Sequence, residues 1–150
     1  MWYIIRVYME ATIVKKIGFT CSSFDLLHAG HILMLKDAKE QCDFLIVGLQ
    51  TDPTIDRPLT KNTPIQTLRE RKIQLEAVRY IDDIYVYDTE DSLIDLLKLV
   101  KPDIRILGSD YEGKPFTGDF LNIPIHYHER DHDYSSTNLR KMIYNRESTK

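Results

Sequence analysis

Apolar positions along the chain follow two periods, one typical of buried strands and one typical of helices. Short runs rich in apolar residues predict strands at residues 13–20, 44–49, 84–87, 104–107 and 125–128. The run at 44–49 is nearly all apolar, as expected for a strand buried on both faces of a parallel sheet. Apolar residues at helical spacing predict helices between these runs, at residues 32–41, 66–81 and 91–100. N-capping residues at 133–137 open a final helix that is expected to reach about Asn145. The alternation predicts an α/β fold, a Rossmann-like open parallel sheet with helices on both faces.

Composition bounds the class of protein. With 150 residues, 43% hydrophobic and 29% charged, the chain suits one domain, residues 1–150, with an N-terminal appendage at 1–11 and a C-terminal tail at 144–150. The net charge of −3 gives no reason to expect a nucleic-acid partner. Two cysteines make no disulfide framework, and no apolar run has the ~20 residues of a membrane span. We expect a cytoplasmic protein.

One loop carries the strongest chemical signal, the stretch from Ser22 to His31. It joins the first predicted strand to the first predicted helix, and a helix N-terminus favours anions through its unpaired N–H groups and its dipole. His28 and His31 flank Gly30, so imidazole donors stand where the backbone can approach a ligand closely. The pattern predicts phosphate chemistry at this loop.

Other candidate residues lie far apart in sequence. Residues 51–64 hold three prolines with Arg57 and Lys61, which indicates a mobile cationic loop. Arg71 falls on the apolar stripe of the second helix, where a guanidinium is costly unless it reaches an anion. Asp110 follows a strand end and Arg130 follows the last strand, so both are expected to meet the histidines at the carboxyl edge of the sheet.

Three further histidines lie in the last predicted strand or after it, namely His126, His128 and His132. No cysteine accompanies them, so we expect them at the rim of the site rather than as zinc ligands, and no metal held by protein side chains alone is expected.

The stretch Phe24-Asp25-Leu26-Leu27-His28-Ala29-Gly30-His31 resembles the signature of the HxGH nucleotidyltransferases, in their cytidylyltransferase-like branch. The resemblance extends from about Lys15 to Ile143. Matching stretches follow in family order at Arg71-Lys72, 79–83, 108–114, and Arg130 with 135–137. One departure is Ser22-Ser23, which stands where the family usually has Gly-Thr.

The resemblance implies transfer of CMP from CTP to a phosphorylated alcohol such as glycerol 3-phosphate, with Mg²⁺ bound to the triphosphate and release of pyrophosphate. It assigns catalytic roles to His28, His31, Lys61 and Arg130, with Arg57 as an alternative to Lys61. It assigns nucleotide contacts to Ser22, Ser23, Phe24, His28, Gly30, His31, Asp110, Arg130, Ser135, Ser136 and Thr137. It assigns acceptor contacts to Asp25 and Arg71.

Two alternatives remain open within the resemblance. The stretch Ser135-Ser136-Thr137-Asn138-Leu139-Arg140 also resembles the Ser-Ser-Thr-x-x-Arg of adenylyltransferases, which implies ATP and a sugar phosphate of the heptose branch. A catalytically inactive nucleotide sensor is the other alternative. Residues 79–83 correspond to a region that often lies in a dimer interface in the family, so a homodimer is expected.

Overall fold

The computed structural model describes residues 15–150, and these form a five-stranded parallel sheet with four helices. The strands are β1 (Ile17–Ser22), β2 (Phe44–Gln50), β3 (Asp83–Tyr87), β4 (Ile104–Gly108) and β5 (Ile125–His128). The helices are α1 (Ala29–Glu40), α2 (Leu68–Glu76), α3 (Glu90–Val100) and α4 (Ser136–Ser148). Short 3₁₀ turns lie at Ser109–Tyr111 and Asp119–Leu121. The predicted Rossmann-like fold is confirmed.

The order of the strands places the functional edge. The sheet runs β3-β2-β1-β4-β5, and all four neighbouring pairs are parallel. The chain moves outward from β1 through β2 to β3 and then returns to place β4 on the other side of β1. Such a reversal opens a crevice at the carboxyl ends of the two strands that flank it.

Alternation along β2 explains why both faces of the sheet are covered. Leu45, Val47 and Leu49 are buried in a cluster that includes Leu35 of α1 and Leu75 of α2. Ile46 points to the opposite face, where it is buried with Leu93 and Leu97 of α3. Because successive side chains on a strand point to opposite faces, one apolar strand supplies both cores.

Element boundaries depart from the predictions at several places. The helix expected over residues 66–81 is α2, which begins at Leu68 and ends at Glu76, although Val78, Tyr80 and Ile81 still pack against the core from the turn that follows. Helix α4 continues to Ser148, so most of the predicted tail at 144–150 is helical. Strand β1 begins at Ile17 and ends at Ser22, whereas the pattern predicted 13–20. The predicted appendage at 1–11 lies outside the described residues.

Two further properties concern the cysteines and the lengths of the helices. Cys21 and Cys42 are both free thiols. In the part of the chain that the structure describes, no helix is both long and apolar enough to cross a lipid bilayer.

Candidate active site

The helix that follows β1 begins with a cap built from two histidines. His28 is the N-cap residue, and its Nδ1 accepts hydrogen bonds from the N–H groups of Gly30 at 3.1 Å and His31 at 3.4 Å. His31 completes the arrangement, because its Nδ1 accepts from the His28 N–H at 3.3 Å. The imidazoles thereby satisfy donors that a helix start leaves unpaired, a task more often done by Ser or Thr with Glu.

This cap determines the tautomers of the two rings. Since each Nδ1 is an acceptor, the proton of the neutral ring lies on Nε2. Burial lowers the pKa of His31 to about 3, with the charges of His28 and Arg130 adding to the effect. Burial likewise lowers the pKa of His28, helped by His132 and Arg130. At neutral pH both rings are therefore uncharged and each offers one Nε2–H donor.

Close packing around Gly30 holds the rings together. The two imidazoles stack with their centroids 3.8 Å apart. A Cβ at Gly30 would lie 2.9 Å from Cε1 of His28 and 2.9 Å from the carbonyl oxygen of Tyr134. The Oγ of Ser136, in the first turn of α4, lies 3.3 Å from Nε2 of His28. Glycine is thus required for the second helix start to approach the first.

The loop before the cap adopts an unusual backbone. Phe24 and Leu26 have φ angles of 47° and 51°, in the left-handed region that residues with a side chain rarely adopt. Phe24 was predicted to contact the nucleotide, but its side chain is buried in the core with its ring centroid 5.4 Å from that of His31. The ring of Phe24 therefore packs against the imidazole of His31, and its predicted nucleotide contact stays a prediction. Ser22, which replaces a family glycine, has no positive φ, so its position does not require glycine.

Asp25, which was predicted to contact the acceptor, has hydrogen-bond and ion-pair partners within the chain. Its buried carboxylate accepts hydrogen bonds from the N–H groups of Ile65 at 2.8 Å and Gln66 at 2.9 Å. It also forms an ion pair with Arg140 of α4 at 2.9 Å. These partners occupy both carboxylate oxygens, so Asp25 connects the β1–α1 loop to the start of α2 and to α4 without lining the cavity described below.

Arg71, also predicted to contact the acceptor, has its own partners within the chain. The side chain is only 2% exposed, yet it reaches main-chain oxygens rather than an anion. Its guanidinium donates to four carbonyl groups, those of Gln66, Ser23, Gln50 and Thr51, at 3.1, 2.8, 2.7 and 2.6 Å. These bonds hold together the ends of β1 and β2, and the predicted contact of Arg71 with the acceptor phosphate stays a prediction.

The other predicted residues come together in one cavity of about 600 Å³ at the carboxyl edge of the sheet. They lie at the end of β1, at the starts of α1 and α4, in the loop after β2 and just after β4 and β5. These residues are Ser22, Ser23, His28, Gly30, His31, Lys61, Asp110, Arg130, Ser135, Ser136 and Thr137. Ser135 caps α4, because its Oγ accepts from the Asn138 N–H at 3.1 Å. The convergence expected from the topology is therefore present.

The loop after β2 contributes cations to this cavity. Arg57 and Lys61 both line it, and Arg57 forms an ion pair with Glu90 at 2.9 Å. Burial lowers the pKa of Lys61, and the neighbouring positive charge of Arg57 adds to this effect against the opposing charges of Glu90 and Asp110. A phosphate group placed here would relieve the repulsion between the two cations.

The three histidines in and after β5 have different surroundings. His126 and His128 both approach the carboxylate of Asp37 in α1, with nitrogen–oxygen distances of 3.0 and 2.7 Å. Burial alone would raise the pKa of Asp37, but the hydrogen bonds from His128 and His126 outweigh it and hold that pKa below its usual value. His128 and His132 line the cavity and His126 does not, so two of the three lie where the sequence placed them.

Sequence reasoning missed four residues that line the cavity on the α3 side, namely Glu90, Arg105, Phe116 and Thr117. Only Arg105 had a visible signal, since it is a single charge inside the apolar strand Ile104-Arg105-Ile106-Leu107. The others come from a helix start and a loop, where polar residues are ordinary.

The fold and the site together define a nucleotidyltransferase domain, in which a histidine-capped helix lies at the crevice of a Rossmann-like sheet. A family model described as cytidylyltransferase-like matches residues 19–142, and the chain therefore belongs to the cytidylyltransferase-like family.

Relatives at 30% identity or more include proteins described as bifunctional protein HldE. The protein from Campylobacter concisus is 33% identical over 129 residues, which cover 86% of this chain and 27% of that protein. The protein from Campylobacter curvus is 39% identical over 104 residues, 69% of this chain and 22% of that protein. The chain thus spans about a quarter of the length of these relatives.

Solved structures show the same fold. The lipopolysaccharide core biosynthesis protein from Thermoplasma volcanium is 28% identical with a TM-score of 0.61, over 81% of this chain and 99% of that chain. The pantoate-beta-alanine ligase from Francisella tularensis, 20% identical with a TM-score of 0.59 over 89% of this chain and 69% of that chain, resembles it in fold alone.

Proposed function

We propose that this protein transfers a nucleotidyl group from a nucleoside triphosphate to a phosphorylated sugar, with ATP and a heptose-type sugar phosphate as the favoured pair. One observation carries the proposal: two neutral Nε2–H imidazoles, Arg130 and the start of α4 line a single cavity. Such a set binds phosphate oxygens and the charge that develops on them.

The choice of substrates rests on the relatives and on one motif. Bifunctional HldE proteins and a lipopolysaccharide core biosynthesis protein are among the similar chains, and a lipopolysaccharide core is built from sugars. The stretch from Ser135 to Arg140 resembles the corresponding motif of adenylyltransferases. Both observations favour the adenylyltransferase alternative over transfer to glycerol 3-phosphate.

A cytidylyltransferase that acts on glycerol 3-phosphate is the second candidate. The description of the matching family as cytidylyltransferase-like supports CTP, as does the resemblance of the Asp-Leu-Leu-His and Tyr-Glu-Gly-Lys stretches to that branch. The chemistry at the α-phosphorus is the same for both candidates.

The proposed reaction needs no covalent enzyme intermediate, because the acceptor phosphate oxygen is already a nucleophile. That oxygen forms a bond to the α-phosphorus, the bond from the α-phosphorus to the bridging oxygen breaks, and pyrophosphate leaves with the electron pair. The Nε2–H groups of His28 and His31 stabilise the oxygens of the α-phosphate. Arg130 and Lys61 neutralise the β- and γ-phosphates, and the start of α4 holds the nucleotide in line.

Magnesium enters this proposal on the triphosphate. Residues 15–150 contain no group of three or more His, Cys, Asp or Glu side chains arranged to hold a metal ion. Asp110 lines the cavity without an ion-pair partner among these residues, which suits a Mg²⁺ held largely by phosphate oxygens with one carboxylate. When bound, the ion would neutralise phosphate charge.

A matrix of substrates tests the proposal. Pyrophosphate release is measured with ATP and CTP, each combined with heptose 1-phosphate, glucose 1-phosphate and glycerol 3-phosphate. We expect the highest kcat/KM with ATP and the heptose phosphate. Preference for CTP and glycerol 3-phosphate would favour the second candidate. Nucleotide binding without turnover in any pair would contradict both and favour a sensor.

We also propose a homodimer, in keeping with the family. Tyr85 and Val86 on the edge strand β3 are exposed apolar side chains next to residues 79–83. Light scattering coupled to size-exclusion chromatography should give twice the mass of the chain, and a monomer at all concentrations would contradict this proposal.

A further inference from the structure

A second buried arginine lies in the cavity and has no assigned role. Arg105 is the second residue of β4, between Ile104 and Ile106, and it is 3% exposed. Ile104 and Ile106 belong to the core cluster under α1 and α2, so strand alternation turns Arg105 to the face covered by α3. It lines the cavity from that side.

Arg105 differs from Arg71 in how its charge is satisfied. The side chain of Arg71 donates to four backbone carbonyls, whereas the side chain of Arg105 makes one hydrogen bond within the described chain, from Nη1 to the carbonyl oxygen of Thr117. The Nε of Arg105 is buried without a partner, and its Cζ lies 5.3 Å from the ring centroid of Phe116. No carboxylate from residues 15–150 lies within ion-pair distance, and a buried cation without a counter-charge is costly.

The carboxylate of Glu90, which Thr117 contacts, is already neutralised by another arginine. Thr117 donates from Oγ1 to Glu90, and Glu90 also pairs with Arg57 at 2.9 Å. Arg57 and Arg105 line this half of the cavity, and Lys61, which the proposed function assigns to the triphosphate, also lines the cavity between the charges of Arg57, Glu90 and Asp110. Because Arg57 already pairs with Glu90, Arg105 keeps a charge that a phosphate monoester, with about −1.5 to −2 at neutral pH, would neutralise.

The two halves of the cavity suit two ligands. The histidines, Arg130 and the start of α4 form one half, which the proposed function assigns to the nucleotide. Arg105 lies on the other face of the sheet, beneath the loop that carries Phe116 and Thr117. We propose that Arg105 anchors the phosphate of the acceptor on the α3 side of the cavity. This inference rests on the proposed function and names the residue that binds its second substrate.

Three variants test the inference. Arg105→Met removes the charge and keeps most of the apolar stem, Arg105→Lys keeps the charge, and Arg146→Met removes an exposed positive charge from the last turn of α4 as the matched control. We expect Arg105→Met to raise the KM for the acceptor by roughly 10- to 100-fold, the loss expected for one charge-assisted hydrogen-bonded pair. The KM for the nucleotide should stay unchanged, and Arg105→Lys should restore part of the acceptor affinity.

Thermal stability distinguishes a binding role from a structural one. Because Arg105→Met removes a buried charge without a partner, its melting temperature should equal or exceed that of the wild type. An unchanged acceptor KM in Arg105→Met would overturn the inference. So would a lowered melting temperature together with equal increases in both KM values.

A binding measurement keeps this test separate from the proposed function. With the nucleotide half filled by a non-hydrolysable ATP analogue, inorganic phosphate should raise the melting temperature of the wild type and of Arg146→Met, but not of Arg105→Met. Equal stabilisation of all three proteins would overturn the role of Arg105 even if turnover were present. Absence of turnover would contradict the proposed function while this binding result could still stand.

Discussion

The histidine cap permits a substitution that separates folding from chemistry. His28 has two tasks, since Nδ1 caps α1 and Nε2–H is offered to the ligand. Asparagine is among the best N-cap residues, and its Oδ1 can accept the same two backbone hydrogen bonds. His28→Asn therefore keeps the cap and removes the ring donor, whereas His28→Ala removes both.

The expected magnitudes differ for the two tasks. Loss of one preorganised donor costs about 3 kcal/mol of transition-state stabilisation, or roughly 100-fold in turnover, and both variants should show it. Loss of the cap costs about 1 kcal/mol of unfolding free energy, and only His28→Ala should show it. Turnover is measured by acceptor-dependent pyrophosphate release, and the free energy by urea unfolding. Near-wild-type turnover of His28→Asn would refute the catalytic role, and equal destabilisation of both variants would refute the cap.

Three further substitutions address other parts of the account. His31 has a pKa of about 3 in the folded protein and near 6.5 in the unfolded protein, so its contribution to stability falls as the pH decreases below 6.5. Between pH 7 and pH 5 the wild type should lose about 2 kcal/mol more unfolding free energy than His31→Gln. Equal losses in the two proteins would contradict the burial of the ring. The unfolding free energy of Arg71→Met, measured with urea, should be at least about 3 kcal/mol below that of the wild type, because the substitution leaves carbonyl groups unpaired. A loss below about 1 kcal/mol would show that these carbonyl groups find other partners. Lys61→Ala should lower kcat/KM for the nucleotide by roughly tenfold at an unchanged melting temperature, and Lys61→Arg, which keeps the charge, is the control. Unchanged kinetics of Lys61→Ala would assign the role to Arg57 instead.

Local signals in the sequence were sufficient for the fold and for half of the site. The β1–α1 loop could be predicted because its strand, its glycine and its two histidines are consecutive in the chain. The meeting of His28 with Arg130 and Ser136 could be predicted because a parallel sheet brings strand ends to one edge.

The two buried arginines show where sequence reasoning fails. Arg71 appeared to require an anion, yet the carbonyl of Ser23, 48 residues away, and those of Gln50 and Thr51 satisfy it. Arg105 received no role, yet it retains an unpartnered Nε in the cavity wall. The main-chain oxygens that satisfy a buried charge come from segments far away in the sequence, so the pattern of apolar residues does not identify them. The partners of Asp25 could not be predicted for the same reason, since its N–H donors lie 40 and 41 residues away.

Oxygen labelling tests the central claim most directly, because it follows the atom that forms the new bond. The acceptor sugar phosphate is labelled with ¹⁸O in its phosphate oxygens and incubated with ATP and Mg²⁺, and the product is analysed by mass spectrometry and ³¹P NMR. Direct attack on the α-phosphorus predicts a nucleotidylated sugar that carries ¹⁸O in the bridge between its two phosphorus atoms, formed in equal amount with unlabelled pyrophosphate. Pyrophosphate formed without acceptor, or a product whose bridging oxygen is unlabelled, would contradict the account.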